Sequence, residues 1–157
     1  MDKIGQIDPA DRRLLAAAQK NVRLTAEQLG EACGLSPTAA LKRLKKLRAH
    51  GVIEREVAVI APKTIGLDVM AVVMVTLGRE NRDVVDNFKR AIRETPQIMQ
   101  GFYITGDADF LLTIVAKSMD AYEEFTRDFF YDEHQIQSFK TLVVLDPIKM
   151  GQVLPIE

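Results

Sequence analysis

Between Ser36 and Gly51 the chain carries Lys42, Arg43, Lys45, Lys46 and Arg48, and no acidic residue. Cations at that spacing, with no carboxylate to neutralise them, suit contact with nucleic-acid phosphates and binding that weakens as salt rises. The stretch begins with the small residues Ser36, Thr38 and Ala39. Together with Lys42 they lie where a helix in a DNA groove reads base edges. Lys45, Lys46 and Arg55 are placed for phosphates, which set register rather than sequence. Arg43 fits either role, and Arg48 flanks the packed side, where it suits a carboxylate.

Residues 25–51 supply the elements that must aim these groups. They read as two short helices joined by a tight turn at Cys33-Gly34-Leu35. Thr25 and Gln28 form a capping box at the start of the first, with Leu29 and Ala32 facing inward. Ser36 caps the second with Pro37 behind it, and Gly51 is its stop. Ala40, Leu41, Leu44 and Leu47 fall on one side of that helix and form its predicted buried stripe. An earlier helix starts at Asp8, with Pro9 in its first position, Asp11 in its first turn and Leu14, Leu15 and Ala18 inward. The pattern is a helix-turn-helix whose second helix is charged to enter duplex DNA. Residues 52–61 are rich in β-branched residues and predict a short hairpin-like wing or a linking strand, with Arg55 near the DNA.

The charge distribution supports this reading where the total does not. The 157 residues have a net charge of −1, but residues 1–61 hold 11 Lys and Arg against 7 Asp and Glu, and residues 62–157 hold 10 against 15. No apolar run approaches the ~20 residues of a membrane span, and the N-terminus lacks the apolar core of a secretory signal. Cys33 is the single cysteine, so no internal disulfide forms, and a reducing cytoplasm is expected. Its place beside the turn marks it as a small buried residue rather than a redox sensor. Two distant histidines and the lone cysteine offer no nucleophile system and no metal-ligand spacing, so no enzyme, metal or cofactor is expected.

Beyond a break at Pro62-Lys63-Thr64-Ile65-Gly66 the texture changes. Strands are predicted over 70–78, 98–105, 110–116 and 136–145, with helices over 83–94 and 118–131. The order is βαββαβ, a ferredoxin-like arrangement of four antiparallel strands with both helices on one face. The fold class is therefore α+β: a winged helix-turn-helix domain over 1–61, a linker over 62–69 and a ferredoxin-like domain over 70–157. The uncovered sheet face carries alternate residues of apolar strands and is an expected dimer surface.

The short turn Gly106-Asp107-Ala108-Asp109 has two readings. Asp and Gly are what a hairpin turn needs. Successive N–H groups at a glycine turn also make a concavity for a carboxylate, and an Asp nearby can hold an ammonium group, the two charges of an amino acid. Tyr103, Ser138 and Thr141 are the residues placed to complete such a pocket.

The block GLSPTAALKRLKKLRAHGVI, the wing after it and a βαββαβ domain containing TGDADFLL together resemble the Lrp/AsnC (leucine-responsive regulatory protein) family. The resemblance runs from about Asp8 to the end of the chain. It implies a transcriptional regulator that binds double-stranded DNA, dimerises through its C-terminal domain and often assembles into octamers. It also implies a small-molecule effector, commonly an amino acid, bound at subunit interfaces near the turn between the second and third strands. Family members often carry Pro-Gly-Val before the last strand, where this chain has Asp132-Glu133-His134-Gln135-Ile136. The alternative is an architectural protein that wraps DNA with little sequence preference.

Overall fold

The computed structural model describes residues 7–78, 81–131, 135–151 and 153–156. The chain folds as two compact units. One contains the residues up to Val59 together with those from Lys149 onward, and the other is Ile60–Ile148.

The first unit is built on α1 (Pro9–Ala18), α2 (Ala26–Cys33) and α3 (Pro37–Ala49). Each helix is started by its own sequence. The Asp8 carboxylate accepts the Asp11 N–H at 2.8 Å and the Thr25 hydroxyl accepts the Gln28 N–H at 3.3 Å, both within reciprocal capping boxes. Ser36 accepts the Ala39 N–H at 3.3 Å, and such caps contribute about 1 kcal/mol each. Gly34, in the left-handed region at φ 69°, closes α2. Leu14, Leu29, Cys33, Ala40, Leu44 and Leu47 form the buried core, each large apolar side chain contributing about 1.5–3 kcal/mol. Two expected inward residues are not in it: Ala32 is exposed, and Leu41 is 47% exposed because α3 presents Ala40 and Leu44 to α1 and α2 instead.

Residues 54–61, within the stretch expected as a wing or a linking strand, form no helix and pair with no strand among the described residues. Val57, Val59 and Ile60 are exposed there, leaving that segment without the packing a strand needs. Within the expected linker, Pro62–Ile65 makes a single 3-10 turn and groups with the sheet unit. By contacts the residues from Lys149 onward group with the helical unit. The Gln19 side-chain amide donates to the Leu154 carbonyl at 2.8 Å and accepts the Leu154 N–H at 2.9 Å, holding the tail as a partner strand would. Leu154 and Ile156 then line a groove of about 640 Å³ with Leu15, Ala18, Val52 and Ile53.

The second unit has the order β1 (Val69–Leu77), α4 (Arg82–Glu94), β2 (Ile98–Tyr103), β3 (Phe110–Ala116), α5 (Met119–Phe130) and β4 (Ile136–Val143). The four strands form one antiparallel sheet in the order β2-β3-β1-β4, as the ferredoxin-like reading requires. Asn81 caps α4 and Ser118 caps α5. Ala71, Val73, Val75, Leu112 and Ile114 on one sheet face join Val85 and Phe88 of α4 and Tyr122, Phe129 and Phe130 of α5 in a single core. Phe88 meets Phe110 edge to face at 4.8 Å, a geometry that adds about 0.5–1.5 kcal/mol to the area buried. Alternation places Val72, Met74, Phe102, Leu111 and Leu142 on the opposite face.

Gly30 tests how the helical unit is assembled. It lies inside α2, where replacing glycine with alanine ordinarily favours the helix by about 1 kcal/mol. A Cβ there would stand 2.7 Å from the Leu35 carbonyl oxygen and 3.1 Å from the Pro37 nitrogen, backbone atoms that cannot move aside cheaply. Gly30→Ala is expected to destabilise the unit by about 1–3 kcal/mol, measured by urea unfolding. A variant as stable as the parent would show that propensity, not this approach, decides the site.

Candidate nucleic-acid interface and effector-binding turn

The turn between α2 and α3 points α3 outward from a packed base. Thr38, Lys42, Lys45 and Lys46 are exposed, and none of the three lysines has an ion-pair partner among the described residues. Ser36 is exposed but its hydroxyl accepts the cap hydrogen bond, while Ala39 is half-buried and offers only its methyl group. Arg55 is exposed in the extended segment after α3.

Arg43 departs from its expected role. Its Nη1 donates to Asp8 Oδ2 at 2.5 Å and Asp11 Oδ1 at 2.9 Å, tying α3 to the start of α1. This guanidinium is a strut of the helical unit, because the capping carboxylates of α1 face it across the bundle. Nothing in the charge run alone separates Arg43 from its neighbours; the signal lay in Asp8 and Asp11, read only as caps. Arg48 does hold a carboxylate, donating from Nε to Glu56 Oε1 at 3.0 Å and from Nη2 at 2.5 Å. A role missed in the sequence is that of Arg13, whose Nε and Nη2 donate to the Cys33 carbonyl at 3.3 and 3.1 Å. That caps the negative end of α2 with a cation. Cys33 itself is fully buried, and burial pushes its thiol up, away from reactive thiolate. His50 reaches the Lys46 carbonyl through Nδ1 at 2.7 Å, a contact with the end of its own helix.

In the sheet unit the turn after β2 is closed by the Ile104 N–H donating to the Asp109 carbonyl at 2.8 Å. Gly106 adopts φ 126°, a conformation L side chains rarely take. It and Asp107 are exposed, whereas Ala108 is buried. Asp109 works within the fold: its Oδ2 accepts the Leu77 N–H at 2.7 Å, and its N–H donates to the Val75 carbonyl at 2.9 Å. One carboxylate oxygen is thus engaged at the irregularity where β1 and β4 shift register.

The remaining expected pocket residues are not gathered by one chain. Tyr103 lies on the helix side of β2, its ring 5.0 Å from Phe110 and under the Lys89 ammonium at 4.5 Å. Thr141 also faces the helices and shares a 2.6 Å hydrogen bond with the Tyr122 hydroxyl, whose acidity burial weakens. Ser138 is exposed on the other face, opposite Thr76. Lys89 and Arg93 were not anticipated: with Ile92, Gly101, Tyr103 and Phe110 they line a cavity of about 220 Å³. Residues 132–134, including the departure from Pro-Gly-Val and His134, lie outside the described residues.

With that geometry in place, two family models match. Residues 70–154 match the Lrp/AsnC ligand binding domain, and residues 7–54 match a winged helix-turn-helix DNA-binding domain. The chain is 54% identical to the HTH-type transcriptional regulator y4tD of Sinorhizobium fredii, over 97% of this chain and 90% of the relative. It is 28% identical to the leucine-responsive regulatory protein of Escherichia coli, covering 96% and 92% of the two chains. The crystal structure of a Neisseria meningitidis transcriptional regulator in complex with L-Met is similar with a TM-score of 0.89 at 31% identity, over 96% of this chain and 97% of that one. Among the described residues no helix is long and apolar enough to cross a membrane, and no group of metal-ligating side chains is found.

Asp8 ties the stability of the helical unit to pH. The Asp11 backbone N–H and then the Arg43 side chain hold its carboxyl below the ordinary 3.8. A carboxyl lowered in the folded state adds stability above its unfolded value and loses it as pH falls through the folded one. Unfolding midpoints measured from about pH 6 to pH 2 should therefore drop on the acid side. In Arg43→Ala that drop should be shallower but present, because the Asp11 N–H remains. An acid limb identical in the two proteins would show that Arg43 does not act on Asp8.

Proposed function

Because this chain belongs to the Lrp/AsnC family of transcriptional regulators, we propose that it binds its own operator sequences and that an amino acid tunes this binding. The coarse assignment, a regulator with a helix-turn-helix DNA-binding domain and an Lrp-type ligand-binding domain, comes with the family. The observation that carries the finer reading is the exposed face of α3. There Lys42, Lys45 and Lys46 stand free of ion pairs among the described residues, while neighbouring arginines are engaged. Lys42, beside Thr38 near the start of the helix, is assigned to base edges. Lys45, Lys46 and Arg55 are assigned to phosphates.

The partner is double-stranded DNA, bound by at least a homodimer. Two features support self-association: the open sheet face with Phe102 and Leu142 about half exposed, and the exposed residues 54–61, which pair with no strand among the described residues. A dimer meets a pseudo-palindromic site with half-sites about one helical turn apart, and an octamer is the larger assembly the family suggests. The effector site is assigned to the exposed Gly106–Asp107 turn, whose backbone N–H groups suit a carboxylate ligand. Ser138 and Tyr103 stand on opposite faces of the sheet, so at most one of them joins it, and of the two the reading keeps Ser138. The Neisseria structure, which holds L-Met, supports the class of ligand. Such a protein works in the cytoplasm.

Gel-shift titrations over a salt series test the interface. Lys42→Ala should weaken binding and relax base preference, whereas Lys46→Ala should weaken all duplexes nearly evenly and lower the salt slope by about one. The opposite pattern would exchange the two roles. Uniform affinity of the parent for every duplex would favour the architectural reading. For the effector, each of the common amino acids is added to thermal-shift and sedimentation assays. At least one should raise the melting temperature and change assembly size, and a flat response to all of them would end the amino-acid reading.

A further inference from the structure

α3 buries Ala40, Leu44 and Leu47 but turns Leu41 outward, 47% exposed and outside the set of residues packed on the helical core. A single exposed leucine is ordinary on a protein surface. This one has unusual company. Thr38 precedes it by three residues, Lys45 follows it by four and Lys42 adjoins it, all exposed. Residues three and four apart share a helix face, so a branched apolar group is set among groups suited to DNA, in the N-terminal half of the helix assigned to the groove. No acid between residues 36 and 51 would repel a duplex from that face. The major groove presents mainly polar edges, and its prominent apolar feature is the C5-methyl group of thymine.

We propose that Leu41 reads thymine by packing on this methyl group, as a specificity-determining residue of the DNA-binding function above, on which this inference rests. Lys45 beside it supplies affinity for any duplex. Leu41 supplies a preference that salt does not screen, because burial of a methyl group is not a charge interaction.

The test uses the full chain and a random duplex pool, from which bound sequences are selected. The enriched sequence is then resynthesised with deoxyuridine in place of each thymidine, which removes only the methyl group. At one or more positions in each half-site the parent should bind the uracil duplex about fourfold more weakly, the worth of one methyl-sized group. Leu41→Ala should bind thymine and uracil duplexes equally. Lys45→Ala should weaken both and keep the fourfold ratio. An unchanged ratio in Leu41→Ala, or no ratio in the parent, overturns the inference while leaving operator recognition intact. Loss of self-association in Leu41→Ala with base preference untouched also overturns it and places Leu41 against a second copy. A pool that yields no enriched sequence removes sequence-specific binding itself, and this inference with it.

Discussion

How near α2 comes to the first residues of α3 governs the whole helical unit. Gly30 has no Cβ, so the Leu35 carbonyl and the Pro37 ring nitrogen can lie where a side chain would stand. The turn that follows has little slack. The Leu35 N–H donates to the Gly30 carbonyl at 2.9 Å, Gly34 takes the left-handed conformation, and Ser36 caps the next helix two residues later. With those groups paired, the direction of α3 is set by backbone geometry before any cation makes a contact. Binding by a rigid helix then spends little free energy on ordering the protein.

Upon that frame the charges divide by type. Arg13 ties α1 to the end of α2, Arg43 ties α3 to the start of α1, and Arg48 ties α3 to Glu56 in the segment beyond it. A guanidinium is planar with donors in a fixed fork, so it bridges elements at a defined angle. Lys42, Lys45 and Lys46 are left on the outer face. An ammonium on a long flexible stem is strongly hydrated and acts as a point charge, which suits contact with phosphates whose positions vary along a duplex. On the proposed reading, cations already paired within the protein release few counterions from a bound duplex, so the salt slope reports the unpaired cations assigned to phosphates.

Much of this was legible because it is local. Asp8, Thr25 and Ser36 announce helix starts through side chains that reach only three residues, and each does so in the structure. Periodicity placed four strands and two helices in the second unit to within a few residues, because one buried face repeats along each element. What could not be read depends on partners distant in the chain. Arg43 and the Asp8–Asp11 pair are more than 30 residues apart, and the partner of Gln19 lies 135 residues away. Leu41 was misplaced for a subtler reason. It falls at the edge of an apolar stripe, and only the orientation of α3 against its neighbours decides whether an edge residue is covered. Residues 54–61 have strand propensity, but a strand exists only where another strand meets it.

The candidate effector residues show the same limit from the other side, since here a local rule was available. Successive residues of a strand point to opposite faces, so two residues an odd number apart cannot share one. Ser138 and Thr141 on β4 are such a pair, and the Thr141 hydroxyl is committed to Tyr122 on the helix side. A pocket that uses the Gly106–Asp107 turn and Ser138 therefore excludes Thr141, while one that uses Tyr103 opens toward Lys89 and Arg93 and excludes Ser138. The two are chemically unlike. The first offers backbone N–H groups, a hydroxyl and the Asp107 carboxylate, a set suited to a zwitterion. The second offers two cations and an aromatic ring, a set suited to an anion. On the proposed reading, an amino acid, carrying both charges on one carbon, fits the first better.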